Sequence, residues 1–289
     1  LLSGSALNFN SCIASKQKKI TILHTNDVHS HIEPFNENHA KFPSKGGVAR
    51  RSTIIESIKS SNPNTLLLDA GDIFQGTPYF NYYGGEIEFK LMSMLNYDAA
   101  TIGNHDFDNG IEGLYAQLPN AKFQFISSNY DFRNTIMDSH AKTYMIFNKS
   151  DIKIGVFGLG IELKGLVNTS LYKETKYLDP IEVTQEMTKI LKEKEKCDLV
   201  ICLSHLGHSY RDNSKKISDI TLAKSTKNID LIIGGHTHTF LDRPEIVTNI
   251  DGEKVIINQV GCFGLYLGQI DFYFDSMKNK TSNAYAIEV

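Results

Sequence analysis

The 289-residue sequence predicts an α/β fold, because short apolar runs alternate with helix-like segments along the chain. The runs are rich in Leu, Ile and Val, as in strands that are buried on both faces of a sheet. Each of five runs ends in a cluster of Asp, Asn, His or Gly. The carboxyl ends of parallel strands form the ligand-binding edge of such sheets, so these clusters are expected to meet at one edge.

The predicted elements follow one another in a regular order. The five buried strands are predicted at residues 20–23, 65–68, 99–102, 199–203 and 231–233. Apolar residues at helical spacing predict helices at 48–58, 86–95, 111–118, 180–194 and 214–225. The runs 144–147 and 153–157 flank a turn-forming Asn-Lys-Ser-Asp segment and predict a hairpin. Residues 254–260 and 267–274 alternate without a helix between them, which predicts antiparallel strands that close a sheet.

The sequence divides into one compact catalytic domain, predicted at residues 19–275, and two flanking segments. A tail at 276–289 begins with polar residues and is predicted either to be loosely held or to mark the boundary of a longer protein. The leader at 1–18 passes from apolar residues through Cys12 into a Lys-rich stretch, and so resembles the end of a bacterial lipoprotein signal. This resemblance predicts an exported protein, periplasmic or held in the cell envelope by a lipid anchor at Cys12.

Composition narrows the range of ligands. The net charge is −3, with 30 basic and 33 acidic residues, whereas a nucleic-acid binder that grips phosphates by charge is usually basic. The four cysteines include no C-x-x-C pair, so a zinc ribbon is not predicted. A small phosphorylated substrate fits this composition if metal ions supply the positive charge locally.

Seven candidate metal ligands lie in the clusters after the predicted strands. They are Asp27, His29, Asp72, Asn104, His205, His236 and His238. A single Asp after a strand is usually a cap, but five strand ends with this content indicate a shared site. Carboxylate, imidazole and amide ligands suit Mn, Zn or Fe, whereas Ca and Mg sites contain little His. Asp27-x-His29 and His236-x-His238 are expected to project both side chains to one side of an extended segment.

The order and spacing of these motifs resemble the calcineurin-like metallophosphoesterases. The matching motifs are Asp27-x-His29, Gly71-Asp72, Gly103-Asn104-His105-Asp106, His205 and Gly235-His236-Thr237-His238. The further motifs His24-Thr25-Asn26-Asp27 and Gly46-Gly47-Val48-Ala49-Arg50 look most like the catalytic domain of bacterial 5′-nucleotidases and UDP-sugar hydrolases. The resemblance implies a sandwich of mixed sheets flanked by helices, with two divalent metal ions as cofactors.

The resemblance also implies a role for each residue. One metal is held by Asp27, His29 and His238. The other is held by Asn104, His205 and His236. Asp72 bridges the two, and a metal-bridging hydroxide attacks the phosphorus.

Two further residues carry catalysis in this interpretation. His105 is not a ligand; together with Asn104 it contacts the substrate, and it stabilises phosphate charge or protonates the leaving oxygen. Asp108 is expected to orient His105, with Asp106 as the rival.

The expected reaction is hydrolysis of phosphate esters, with nucleoside 5′-monophosphates or sugar nucleotides as the leading substrates. A phosphodiesterase acting on 2′,3′-cyclic nucleotides uses the same metals and stays an alternative. A surface lipoprotein that uses the scaffold only for binding is the alternative from another class. Typical 5′-nucleotidases continue into a second, substrate-binding domain. Three explanations for the lack of a matching second domain in this sequence stay open: the sequence was cut at the domain boundary, a separate chain supplies the domain, or the enzyme has broad specificity.

The sequence gives weaker signals elsewhere. Arg50 and Arg51 open a predicted helix and are expected to face solvent. His24 is expected to support a strand end, and His31 and His208 lie near candidate ligands.

Overall fold

The computed structural model describes residues 17–211 and 216–289. The predicted leader up to residue 16, with the proposed lipid anchor Cys12, lies outside the described residues. Residues 214 and 215, at the start of the last predicted helix, lie outside them as well.

Two six-stranded mixed sheets organise the chain. The strands are β1 Lys18–Thr25, β2 Thr65–Asp69, β3 Ala99–Ala100, β4 Gln124–Phe125, β5 Tyr130–Asp131, β6 Tyr144–Lys149, β7 Ile152–Leu159, β8 Lys176–Tyr177, β9 Leu199–Ser204, β10 Leu231–Gly234, β11 Glu245–Thr248, β12 Lys254–Asn258, β13 Tyr266–Phe274 and β14 Lys280–Glu288. The first sheet has the order β14-β13-β1-β2-β3-β4 and the second has the order β11-β12-β10-β9-β7-β6. A small pair, β5 and β8, stands apart from both.

Helices cover the outer faces of the sheets. They are α1 Val48–Ser61, α2 Pro78–Tyr83, α3 Glu86–Met94, α4 Gly110–Gln117, α5 Thr169–Tyr172, α6 Pro180–Lys189 and α7 Asp219–Ser225. The predicted helix at 180–194 is thus an α-helix followed by a π-helical turn, Ile190–Lys194. None of the helices in the described part of the chain has both the length and the apolarity that crossing a membrane requires.

The core consists of three apolar layers. The central layer lies between the sheets and combines side chains of both, such as Ile22 and Leu68 with Ile201 and Ile233. One outer layer packs the first sheet against α1, α3 and α4. The other packs the second sheet against α6 and α7. Because both faces of each sheet are covered, the central strands read as continuous apolar runs, and the expected sandwich of mixed sheets with flanking helices is confirmed.

The five predicted buried strands correspond to β1, β2, β3, β9 and β10, but they do not share one sheet. The first three run parallel in the first sheet, and the last two run parallel in the second. The clusters that follow them therefore reach the site from two packed sheets. Strand periodicity identifies buried strands but not their partners, so the clusters come together as expected but from two sheets rather than from one.

The C-terminal region corrects two further expectations. β12 runs parallel to β10 in the second sheet, whereas β13 pairs antiparallel with β1 in the first, so the two do not close one sheet. Residues 276–289 are not a loose tail, because β14 pairs with β13 along its full length. A polar strand is stable at a sheet edge, where backbone hydrogen bonds and one partly buried face suffice. The hairpin of β6 and β7 is confirmed.

Candidate active site

The candidate ligands lie on loops that leave β1, β2, β3, β9 and β10. Five of them adopt the left-handed backbone conformation, which non-glycine residues seldom use. These five are Asp27, His29, Asp72, His236 and His238, with φ between 50° and 70°. The extended geometry expected for the Asp-x-His and His-x-His pairs is therefore wrong. Each left-handed residue costs about 1–2 kcal/mol, and such strain persists only where the surroundings enforce it, often at functional sites.

Hydrogen bonds between loops hold this strained backbone. The Asp27 N–H donates to the Gly71 carbonyl at 2.9 Å, and the His29 N–H donates to the Asp72 carbonyl at 3.0 Å. These bonds join the loop after β1 to the loop after β2. A Cβ on Gly103 would lie 2.2 Å from Asp72 Oδ1, so the loop after β3 can approach only because this residue is glycine.

Asp106 is fully buried and fastens two of these loops together. Its carboxylate accepts the backbone N–H groups of Asp72 and Gly103 at 3.1 and 2.8 Å, and those of Ile73 and Phe74 at 2.9 and 3.1 Å. A carboxylate occupied in this way supports the loop backbone. The structure therefore places Asp106 in the scaffold of the site.

The first ligand group, here called the rim group, consists of Asp27, His29 and His238. One potential ligand atom from each lies within 4.8 Å of the other two. The Nε2 atoms of His29 and His238 are 3.0 Å apart, and His238 Nε2 lies 3.6 Å from Asp27 Oδ1. His29 Nδ1 faces the Phe74 carbonyl at 3.2 Å and donates to it, which leaves Nε2 with a lone pair toward the group.

The second ligand group, here called the deep group, consists of Asp72, His205 and His236. His205 is fully buried, and its Nδ1–H donates to the Ala70 carbonyl at 2.7 Å. Asn104 joins this group, because its Oδ1 lies 2.8 Å from His236 Nδ1. Asp72 Oδ2 is 3.0 Å from His205 Nε2 and 3.8 Å from His29 Nε2, so it stands between the two groups.

The donor set fits divalent cations. His205 Nε2 is buried and, despite its 3.0 Å approach to Asp72, forms no hydrogen bond with any described residue. Burial lowers the pKa of His29 to about 4 and that of His236 to about 3, so both imidazoles are neutral near pH 7, as coordination requires. An unpartnered buried nitrogen among neutral imidazoles and two carboxylates is typical of a metal site.

The carboxylates and His205 form a charged centre at the bottom of the site. Burial raises the pKa of Asp27 to about 7, and the nearby Asp72 charge acts in the same direction. For His205, burial acts to lower the pKa, but the Asp72 carboxylate outweighs it and raises the pKa. Asp72 is correspondingly held ionised, because the nearby imidazoles lower its pKa against the effect of burial. Cations bound here would replace the proton on His205 as the counter-charge.

His105 stands beside the rim group on a short 3₁₀ turn, His105–Phe107. Its Nδ1 lies 2.9 Å from Asp108 Oδ2, and this hydrogen bond raises the pKa of His105. The ring is 5.3 Å from the His29 ring, and about two-fifths of the side chain is exposed. Of the two rival orienting residues, the structure places Asp108 at the imidazole, while Asp106 holds the loop backbone.

Several residues that shape the site gave little signal in the sequence. Arg51 was expected to face solvent, yet it is 4% exposed and its guanidinium packs against Gly264. Asn26 is buried and its amide donates to Asp27 Oδ2 at 2.7 Å. Phe263 lies near the rings of two rim-group histidines. Only Asn26 could have been found from the sequence, because it lies within the Asp27 motif; the others depend on tertiary packing.

The fold and the ligand set together define the class as metallophosphoesterases. The model of the calcineurin-like phosphoesterase family matches residues 20–240. The chain belongs to this family of metal-dependent phosphoric ester hydrolases.

Within this family, the chain is similar to 5′-nucleotidases and to a nucleotide phosphoesterase. The chain is 35% identical to human 5′-nucleotidase, in an alignment that covers 92% of this chain and 48% of that protein. It is 34% identical to the trifunctional nucleotide phosphoesterase YfkN of Bacillus subtilis, covering 89% of this chain and 18% of YfkN. The crystal structure of a 5′-nucleotidase precursor from Thermus thermophilus superposes with a TM-score of 0.84 at 30% identity, covering 94% and 55% of the two chains. This chain thus spans about half the length of the 5′-nucleotidases it matches.

Proposed function

We propose that this chain hydrolyses phosphate esters of nucleotides, with nucleoside 5′-monophosphates or sugar nucleotides as substrates and two divalent cations, Mn, Zn or Fe, as cofactors. The observation that carries the proposal is the position of Asp72 between two complete ligand groups. Two adjacent groups that share a carboxylate suit a pair of cations acting on one phosphoryl group. The printed names of the relatives, 5′-nucleotidase and nucleotide phosphoesterase, support nucleotides as the substrate class.

The residues divide the work as follows. The rim group would hold one cation. His205, His236 and Asn104 would hold the other, with Asp72 shared by both. When bound, the cations supply positive charge to the phosphoryl oxygens and lower the pKa of water. The protein keeps His29 and His236 neutral by burial, so they are ready to bind without first losing a proton.

His105 handles the proton of the leaving group in this proposal. Its Nδ1–H is occupied by Asp108, so Nε2 is the nitrogen that can face the substrate. Asp108 favours the protonated ring, which can donate a hydrogen bond to a phosphoryl oxygen or a proton to the departing alkoxide. Asn104, which is 6% exposed, would contact the phosphate from the side of the deep group, whereas His105 would contact it from the side of the rim group.

A substrate panel tests the proposal. The 289-residue chain, loaded with Mn²⁺ or Zn²⁺, is assayed with AMP, UDP-glucose, 2′,3′-cyclic AMP and p-nitrophenyl phosphate, and cation content is measured in parallel. We expect metal-dependent hydrolysis of AMP and of the aryl phosphate. Hydrolysis of the cyclic nucleotide alone would contradict the proposal and show that the chain is a phosphodiesterase. A protein that binds both cations and cleaves none of the four would be a binding scaffold.

A further inference from the structure

Five aromatic rings form a continuous surface beside the rim group. This surface, here called the aromatic ledge, consists of Phe263, His31, Phe35, His39 and Phe42. The Phe263 ring centroid lies 5.8 Å from that of His238 and 6.0 Å from that of His29. From there the ledge continues outward, with His31 4.3 Å from Phe263 and Phe35 5.0 Å from His31. All five residues are partly exposed, so ring surface is available at the edge of the candidate metal site.

The inner end of the ledge is held in a strained conformation. Phe263 has φ of 63°, which is uncommon for a bulky aromatic residue. Its N–H donates to the Asp27 carbonyl at 2.7 Å, so the ring is tied to the loop that carries two rim-group ligands. Backbone strain that the surroundings maintain beside a reactive site is a reason to infer a function for the side chain it positions.

The outer rings lie on a long loop that is itself well held. Residues 26–47 connect β1 to α1 without a helix or strand, and loops of this length in compact domains are usually functional. The Phe35 N–H donates to the Lys45 carbonyl at 2.8 Å, and the Val48 N–H donates to the Ile32 carbonyl at 2.8 Å. These bonds close the loop at its base, so the rings keep their positions before a ligand arrives.

The ledge also carries a hydrogen-bond donor. His39 Nδ1 accepts the Phe42 N–H at 3.0 Å, which places the proton of the neutral imidazole on Nε2. The His39 and Phe42 rings are 5.6 Å apart and nearly parallel, at 10°. The ledge therefore combines aromatic faces with one N–H, which are the features that bind a planar heteroaromatic ring.

We propose that the aromatic ledge is a stacking site for the nucleobase of the nucleoside that leaves when the phosphate ester is hydrolysed. The inference rests on the proposed function, because it requires the phosphate to occupy the metal site. A phosphate held between the rim and deep groups would place its ester substituent near His238, whose ring lies 5.8 Å from that of Phe263, and the His31 ring lies 4.3 Å further along the ledge. Every base has an aromatic face, so the ledge favours nucleotides over alkyl phosphates but discriminates little among bases.

The test compares two substrates that differ only by the base. AMP and ribose 5-phosphate are assayed with the Mn²⁺-loaded chain and with Phe263→Leu, and the cation content of both proteins is measured. Since stacking on an aromatic side chain is worth about tenfold or more in binding, kcat/KM for AMP should fall about tenfold in the variant, mainly through KM. The value for ribose 5-phosphate should change less than about twofold, because that substrate has no base to stack.

A second variant separates stacking from damage to the metal site. Phe35 pairs with His31, His39, Phe42 and Phe263, so its ring contacts reach no candidate ligand. Phe35→Leu should lower kcat/KM for AMP by a smaller factor, about threefold, without lowering that for ribose 5-phosphate. Phe35→Tyr keeps the ring and should therefore keep kcat/KM for AMP at the value of the unmodified chain. Tyr285→Leu, on β14, removes a half-exposed ring elsewhere and serves as the matched control.

The outcomes distinguish the two proposals. Equal losses for AMP and ribose 5-phosphate in both ledge variants, at unchanged cation content, overturn the stacking site. UMP hydrolysis that is a hundredfold slower than AMP hydrolysis contradicts its tolerance of different bases. If the unmodified chain hydrolyses neither AMP nor ribose 5-phosphate, the proposed function fails instead.

Discussion

The rim group and the deep group use similar ligands in different surroundings. His205 in the deep group is fully buried, whereas the His238 side chain in the rim group is 38% exposed. In the deep group, His205 is fixed by the Ala70 carbonyl. The rim group opens toward His105 and the aromatic ledge. From this difference we infer that His205 contributes more to cation affinity than His238 does.

Asp72 is a member of the deep group that also faces His29 of the rim group, so removing it should have the largest effect. We expect Asp72→Ala to lose cations from both groups and to reduce turnover by more than about a thousandfold. The loss should exceed that from removing a single oxyanion-hole hydrogen-bond donor, because the cations supply most of the positive charge at the phosphate. Cation content by mass spectrometry and p-nitrophenyl phosphate turnover check this together. A variant that keeps two cations and full turnover would refute the shared role.

His105 belongs to neither group, so its loss should separate chemistry from binding of cations. His105→Ala should retain both cations and lose about 10²–10⁴-fold in turnover, the usual contribution of a general acid. If His105 is the acid, the loss is greater for AMP than for p-nitrophenyl phosphate, because a poor leaving group needs its proton more. Equal losses for the two substrates would leave His105 an electrostatic role only.

Single substitutions in the two groups should differ in strength. His205→Ala should lower cation affinity more than a hundredfold, since losing a ligand exceeds the 10–100-fold cost of losing an outer-shell partner. His238→Ala should cost only about tenfold, because solvent can reach its position and a water can replace the nitrogen. Titration with Mn²⁺ measures both affinities. Equal losses would remove the distinction between the deep and rim groups.

A similarly small effect is expected from Glu88, a buried residue of α3 that contacts the loop carrying His29. Its carboxylate accepts a hydrogen bond from Ser30, which follows His29 and is also left-handed. Glu88→Leu should weaken one of two Mn²⁺-binding steps about tenfold, as for other outer-shell partners. Glu88→Gln keeps the acceptor oxygen and should behave like the unmodified chain. A loss in both binding steps would show that Glu88 supports the whole fold instead.

The sequence located the candidate ligands along the chain more directly than it located the partners of each strand. Asp27, His29 and their counterparts follow apolar runs directly, so local pattern places them at strand ends. Which strands pair depends on long-range packing, so the strand pattern alone did not divide the five strand ends between two sheets; the sandwich was implied by the family resemblance. β14 was missed because its stability comes from backbone pairing at an edge rather than from an apolar pattern. Phe263 was missed because only the folded chain brings it beside His29 and His238.

The most direct test of this account is the position of cations in Mn²⁺-soaked crystals, measured by anomalous scattering. We expect two anomalous peaks in each chain. One should contact Asp27, His29 and His238. The other should contact Asn104, His205 and His236, with Asp72 touching both. A single peak, or two peaks of which neither contacts Asp72, would contradict the central claim.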